Sequence, residues 1–288
     1  MSCTSGTDAV AALATLLDVT PIEPDLFRGA RYTGGRGRVF GGQVVAQALM
    51  SAYRTIGEDQ PVHSLHAYFM RPGDEALPIA YRTLADYDGN SFSTRRVVAL
   101  QNDLPILTMS ASFQRREDGL EHGVAMPDVP PPEALAEDDK SGGGSPIMAH
   151  FLKRFTAFEF RPIPPFGEPA PEAQPGPSRL WFRLAAPGPS DPALQAAMLA
   201  YLSDFGLLTT AVLPHGIPLF GGRIQPASLD HALWLHAAPS LDQWHLFTME
   251  SPWAGGGRAL TRGIFHAWDG RHIASVAQEG LIRPVKAD

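Results

Sequence analysis

Three polar residues in the second half of the chain interrupt segments that are otherwise apolar: Asp204 in AYLSDFGLL, Ser228 in QPASLDHALW and Gln278 in IASVAQEGLIR. Their types suit one kind of chemistry. A carboxylate accepts a proton, an amide donates and accepts in fixed directions, and a hydroxyl does both, so the three together can hold a water and deprotonate it. Each also has an ordinary explanation. An acid near the C-terminal end of an apolar helix runs against the helix dipole, but before Phe205 and Gly206 it can cap a turn. A Ser at a strand start forms turns, and a Gln beside Gly280 can be a satisfied group at a bulge.

An internal repeat separates these readings. Residues 94–114 can be laid on residues 261–281 without a gap, which brings Thr94-Arg95 onto Thr261-Arg262, the turn residues Asn102 and Asp103 onto Asp269 and Gly270, and Ile106 onto Ile273. Gln278 then faces Ala111. A shifted overlay upstream sets His63 at the place of Ser228, and a looser helix overlay sets Gln47 near Asp204. Two copies of one unit that differ by a carboxylate, a hydroxyl and an amide suggest that the second copy alone carries chemistry.

The elements that must position these residues follow from periodicity. Residues 41–53 have an apolar face at three-and-four spacing, which predicts a helix. Four strands are expected after it, over 62–71, 77–87, 91–102 and 105–115, separated by turn residues in RPGD, DGN and ND. The pattern then returns. A strand LWFRLA precedes one long helix over 191–212 that opens with Asp191 as N-cap and Pro192 at N1, and strands follow at 227–236, 243–251, 259–269 and 272–283. This describes a duplicated α+β unit in which a curved antiparallel sheet wraps a long apolar helix. Its divisions are residues 1–115, a Pro-, Gly- and acid-rich linker over 116–150, and 151–288. Within the Pro-rich region the segments PIMAHFLKRF and AFEFRPI read as a short helix and a strand, so the connection is expected to pack across the surface.

Composition bounds the function. With 288 residues, 44% of them apolar and 18% charged, the chain can bury two moderate cores. A net charge of -7 argues against a nucleic-acid groove, and the lone cysteine, Cys3, excludes a disulfide framework and a cysteine metal site. No leader and no run of eighteen or more apolar residues is apparent, so a cytoplasmic protein without a membrane span is expected. No G-x-S-x-G elbow, H-E-x-x-H helix or Walker loop occurs, and nothing points to a cofactor or a metal. The glycine-rich GGRGRVFGGQ can instead present backbone amides at the start of the 41–53 helix to an anion or a carbonyl oxygen, or simply let that helix pack closely. His63 is expected to be structural or to line a channel, because Ser64 beside it points to the opposite strand face.

Six blocks in order, RVFGGQVVAQAL, VHSLHAYFMRPGD, DGNSFSTRRVVALQND, PHGIPL, ASLDHALWLH and VAQEGLIR, resemble the acyl-CoA thioesterase II family. The resemblance spans nearly the whole chain except the acidic linker. It implies a double hotdog fold, hydrolysis of fatty acyl-CoA to free acid and coenzyme A, and further assembly into a homo-oligomer, a dimer or a tetramer. It also implies that Asp204, Ser228 and Gln278 bind the attacking water, with Ser where Thr is common in the family. Arg28, Arg31, Arg36, Arg38, Arg95 and Arg96 are candidates for the CoA phosphates. The alternatives are a non-catalytic acyl-CoA-binding protein and a hotdog hydratase. The hydratase is disfavoured because Asp230 and His231 occupy opposite faces of one strand.

Overall fold

The computed structural model describes residues 5–32, 37–57, 59–135, 146–163, 176–217, 219 and 222–285. Arg36 and Cys3 lie outside the described residues. The chain opens with a helix, α1 (Gly6–Leu17), which Ser5 caps by accepting from the Asp8 amide at 3.1 Å. A hairpin of β1 (Val19–Glu23) and β2 (Leu26–Gly29) leads to α2 (Gly41–Tyr53), and four strands follow: β3 (Val62–Phe69), β4 (Ile79–Asp88), β5 (Phe92–Gln101) and β6 (Leu104–Gln114). After the connecting region the order recurs. α3 (Pro146–Leu152) precedes β7 (Phe158–Ile163) and β8 (Ser178–Leu184), then come α4 (Pro192–Ser203) and α5 (Leu207–Val212), and last the strands β9 (Ile224–Ser228), β10 (Asp230–Leu235), β11 (His245–Gly255), β12 (Arg258–Ala267) and β13 (His272–Pro284).

The strands form one sheet in the order β1-β2-β4-β5-β6-β3-β10-β13-β12-β11-β8-β7, with β9 paired to β13 off that path. Read outward from the antiparallel β3–β10 junction, the two halves have matching order, so the sheet is two copies of one unit joined edge to edge. This is the expected α+β architecture. Joining the copies at β3 and β10 removes one exposed edge from each.

The two long helices lie against each other, α2 also packing on β4, β5 and β6 and α4 on β10. α2 buries even its polar positions, with Gln43, Gln47 and Ser51 enclosed beside Val45, Leu49 and Ala52. α4 is buried on nearly every side from Gln195 to Ser203, and Asp191 caps it by accepting from the Ala193 amide at 2.9 Å. A helix apolar all round belongs in a core, which is where this apolar run resides. The single helix expected over 191–212 is in fact two. Asp204 caps α4 at its C-terminus, and Gly206 adopts φ 82°, which a residue with a Cβ enters only at a cost, to start α5.

No helix or strand was expected over residues 6–29, although the Ser5 cap and the apolar spacing of Ala9, Val10, Leu13, Leu16 and Leu17 mark a helix. The segment at 227–236 is two strands rather than one, interrupted at Leu229. Part of the connection packs as expected. Pro130 accepts from the Trp181 indole at 3.0 Å, Val124 bonds the His266 ring at 2.9 Å, and Met126, Val129 and Leu135 cover Trp181, Trp244 and Leu246.

Candidate active site

Asp204, Ser228 and Gln278 come from three separate elements and meet. Gln278 Nε2 donates to Ser228 Oγ at 2.9 Å, and Ser228 Oγ donates to Asp204 Oδ1 across a long 3.5 Å. The other carboxylate oxygen, Oδ2, accepts the backbone N–H of Gly42 at 2.9 Å, so the start of α2 in the first repeat holds the acid of the second. Each placement has a local cause. The α4 break turns Asp204 toward α2, the interruption at Leu229 ends β9 on Ser228, and the strand alternation of β13 points Gln278 inward with only 1% of its surface exposed.

Behind the three lies a further polar row that sequence reasoning did not assemble. His231 Nδ1 stands 2.6 Å from Gln278 Oε1, and its Nε2 stands 2.8 Å from Ser203 Oγ, with both His231 and Ser203 fully buried. The signal was present in the sequence as two polar residues at interior phases of β10 and α4, yet nothing local joins residues so far apart along the chain.

Asp204 and Ser228 open on a cavity of about 580 Å³ between the repeats. Its wall is mostly apolar, with Phe40, Val44, Phe69, Phe151 and Leu208, and Arg38, Arg71 and Arg154 add positive charge. Such a volume is that of a small-molecule pocket. Gln278 is not part of the wall; it sits behind Ser228. Burial pushes the Asp204 carboxyl above its ordinary value, opposed by the nearby His231 and by hydrogen bonds from Gln278, Gly42 and Ser228. An acid held up in this way is poised nearer neutral pH, where a general base works.

The first repeat cannot do the same. Strand register pairs Leu65 with Ala111 and Val62 with Phe113 there, while Ala232 pairs with Ala277 and Ser228 with Gly280 in the second. The residue at the place of Ser228 is therefore Val62, not His63, because Val62 faces Phe113 as Ser228 faces Gly280 at the matching position of the last strand. Gln47 is likewise no counterpart of Asp204. It lies mid-helix, accepts from the Tyr81 hydroxyl at 2.7 Å and donates to the carbonyls of Leu16 and Ala30. Tyr53 ends α2 and fills the corresponding space, edge-on to Phe113 at 5.1 Å and accepting from the Val62 amide at 3.0 Å.

Other expected residues are placed elsewhere. His63 bonds Ser112 Oγ at 2.8 Å and is not in the cavity wall; burial lowers its pKa. Of the candidate arginines, Arg38 reaches the cavity. Arg95 is buried and paired with Asp88, Arg96 pairs with Asp86, and Arg31 bonds the Ala76 carbonyl. Arg71 and Arg154 are cavity cations that sequence reasoning missed, and Arg154 is tied to Glu75 in a buried ion pair. Among the described residues, no group of three or more His, Cys, Asp or Glu is arranged to hold a metal.

Comparison with known proteins gives the same family from both halves. The model of the acyl-CoA thioesterase N-terminal domain matches residues 30–114 and that of the acyl-CoA thioesterase C-terminal domain matches residues 126–282. Human acyl-coenzyme A thioesterase 8 is 37% identical over 94% of this chain and 88% of its own length, and acyl-CoA thioesterase 2 of Haemophilus influenzae is 38% identical over 96% and 98%. The crystal structure of an acyl-CoA thioesterase II from Mycobacterium marinum is similar with a TM-score of 0.79 and 37% identity, covering 96% of this chain and 99% of that one. With two hotdog units in one sheet, family models on both and close relatives along nearly its whole length, the chain belongs to the acyl-CoA thioesterase II family.

Proposed function

We propose that this chain hydrolyses acyl-CoA thioesters to free acid and coenzyme A by direct attack of water, with Asp204 as general base. One observation carries the reading: a carboxylate, a hydroxyl and an amide from three elements form a single hydrogen-bonded group at the wall of an apolar cavity. Water approaching from the cavity and hydrogen-bonded to both Asp204 Oδ1 and Ser228 Oγ gives its proton to the carboxylate as its oxygen bonds to the thioester carbon. The C–S bond then breaks, and the proton returns to the departing thiolate. A thioester is activated enough that no covalent nucleophile is required.

Gln278 acts one step back, fixing the Ser228 hydroxyl from behind. The start of α2 at Gly41 supplies the oxyanion donor. The Gly42 amide is already engaged by Asp204, whereas Gly41 lines the cavity, and loss of a donor of this kind costs roughly 3–4 kcal/mol. The apolar wall takes the acyl chain, and Arg38 and Arg71 attract the CoA phosphates. The repeats divide the work, with residues 1–115 supplying the helix start and residues 151–288 the base. The connector at 116–150 carries the start of α3, and a cytoplasmic homo-oligomer completes the proposal.

The test is thiol release from acyl-CoAs of increasing chain length, by the wild type and Asp204→Asn side by side, with folding followed by thermal melt. Turnover that collapses in a folded Asn variant supports the assignment. Acyl-CoA binding without thiol release by the wild type would replace it with a binding protein.

A further inference from the structure

The Gln278 amide can face Ser228 in two directions, and only one of them serves the site. With Nε2 toward Ser228, the hydroxyl of Ser228 accepts from Gln278 and keeps its own hydrogen for Asp204 or for water. Turned over, Oε1 would take that hydrogen and would also face the Asp204 carboxylate, oxygen against oxygen. The observed direction leaves Oε1 as an acceptor 2.6 Å from His231 Nδ1 in a fully buried setting. An acceptor so placed requires a proton on Nδ1.

Ser203 makes that protonation state available. Its hydroxyl is 2.8 Å from His231 Nε2 and 2.9 Å from the Ala200 carbonyl. If the hydrogen goes to Nε2, the ring is neutral with its proton on Nδ1; if it goes to Ala200, the ring carries protons on both nitrogens. Nδ1 is a donor in both cases. The first repeat has Ser64 and Leu65 along the matching stretch of β3, and Leu65 pairs with Ala111, so no counterpart of this row exists there.

We infer that His231 is a positioning residue: held by Ser203, it donates to Gln278 Oε1 and so fixes which way the amide faces Ser228 and Asp204. It touches neither the cavity nor the reacting atoms, and it acts through Gln278. The inference rests on the role proposed for Gln278 in hydrolysis.

The experiment is steady-state hydrolysis of decanoyl-CoA by His231→Leu, His231→Asn, Gln278→Ala and the His231→Leu/Gln278→Ala double variant, each checked for a native melt. His231→Leu is expected to lower kcat by about 10-fold or more with KM within about threefold, as loss of a supporting partner does elsewhere. His231→Asn, which can present an amide N–H near the Nδ1 position, recovers most of that loss and remains informative if the Leu variant fails to fold. In the Gln278→Ala background, His231→Leu adds nothing further, since its target is gone. Independent, multiplying losses would overturn the inference, as would an Asn variant no better than Leu or a folded Leu variant with wild-type kcat. Full activity of Gln278→Ala would instead remove the role of Gln278 itself, and this inference with it.

Discussion

Gly42 of the first repeat donates its backbone N–H to Oδ2 of Asp204 in the second at 2.9 Å, across 162 positions of sequence. The contact explains why α2 begins with two glycines. A Cβ on Gly41 would stand 2.7 Å from Asp204 Oδ2, and one on Gly42 would strike the Tyr201 carbonyl oxygen and the Phe40 ring. Gly42→Ala is therefore expected to push α2 off α4 and cost about 1–3 kcal/mol, read as a lower melting temperature. Gly41→Ala displaces the base more than the helix. Its kcat is expected to fall roughly 10²-fold with a smaller change in the melt, as misplaced catalytic groups do.

Asp204 must be ionised to act, and burial raises its pKa. The acid limb of the kcat/KM profile is thus expected above the ordinary aspartate value of 3.8 and is absent in Asp204→Asn, whose residual rate lies about 10²–10⁴-fold lower. Stability moves the other way. Because the unfolded chain ionises this group more easily, ionisation costs folding as pH rises from the unfolded toward the folded pKa. Asp204→Asn should then melt at or above the wild type near pH 7, and the gap should close as pH is lowered to about 4. A pair of melts at the two pH values checks this.

How much of this was open to sequence follows from where the information lies. The strands of both repeats show in alternation and turn residues, and the Asp191 cap with Pro192 places the start of α4. The break after Ser203 showed only as the turn that Asp204 before Phe205 and Gly206 can cap, because a helix buried on every side has no polar phase to lose. The His63 overlay failed for a similar reason. The irregularities after Val62 and after Ser228 match and cancel; Val62 and Ser228 stand 166 positions apart where Ala111 and Gln278 stand 167, a change of offset that an ungapped comparison of β6 with β13 does not contain. An anion at the amides of the α2 start was expected, though not that Asp204 supplies it, and the roles of His231 and Ser203 were out of reach because they exist only through contacts between distant elements.

Ser228 separates hydroxyl chemistry from steric fit. Ser228→Ala removes the Oγ that accepts from Gln278 Nε2 and donates to Asp204, and kcat is expected to fall by about 10–10²-fold, with KM little changed. Ser228→Thr keeps the hydroxyl, and its added methyl limits the rotamers available. Thr should retain wild-type turnover within about threefold, as comparison of kcat for the two variants will reveal.

The blocked counterpart in the first repeat makes a negative prediction. Val62, Ala111 and Phe113 are buried around Tyr53, with Phe113 wholly enclosed. Writing the second repeat's residues there, Val62→Ser with Ala111→Gln, places a hydroxyl and an amide where Tyr53 stands in place of the carboxylate. Unpaired buried polar groups cost about 1–3 kcal/mol each, so the melt should fall with no gain in thiol release.

Arg38 and Arg71 are exposed cations at the cavity, and Arg154 is already committed to Glu75. If the first two attract CoA phosphates, Arg38→Ala/Arg71→Ala should raise KM for an acyl-CoA several-fold, about 1 kcal/mol in all, and leave kcat unchanged. The same acyl group on N-acetylcysteamine, which lacks the phosphates, should show no difference between variant and wild type. Added salt should raise the wild-type KM toward that of the variant, because exposed charges are screened within about 10 Å at 0.1 M. Equal losses on both thioesters would instead make these arginines part of the cavity wall, acting on the acyl or pantetheine end of the substrate.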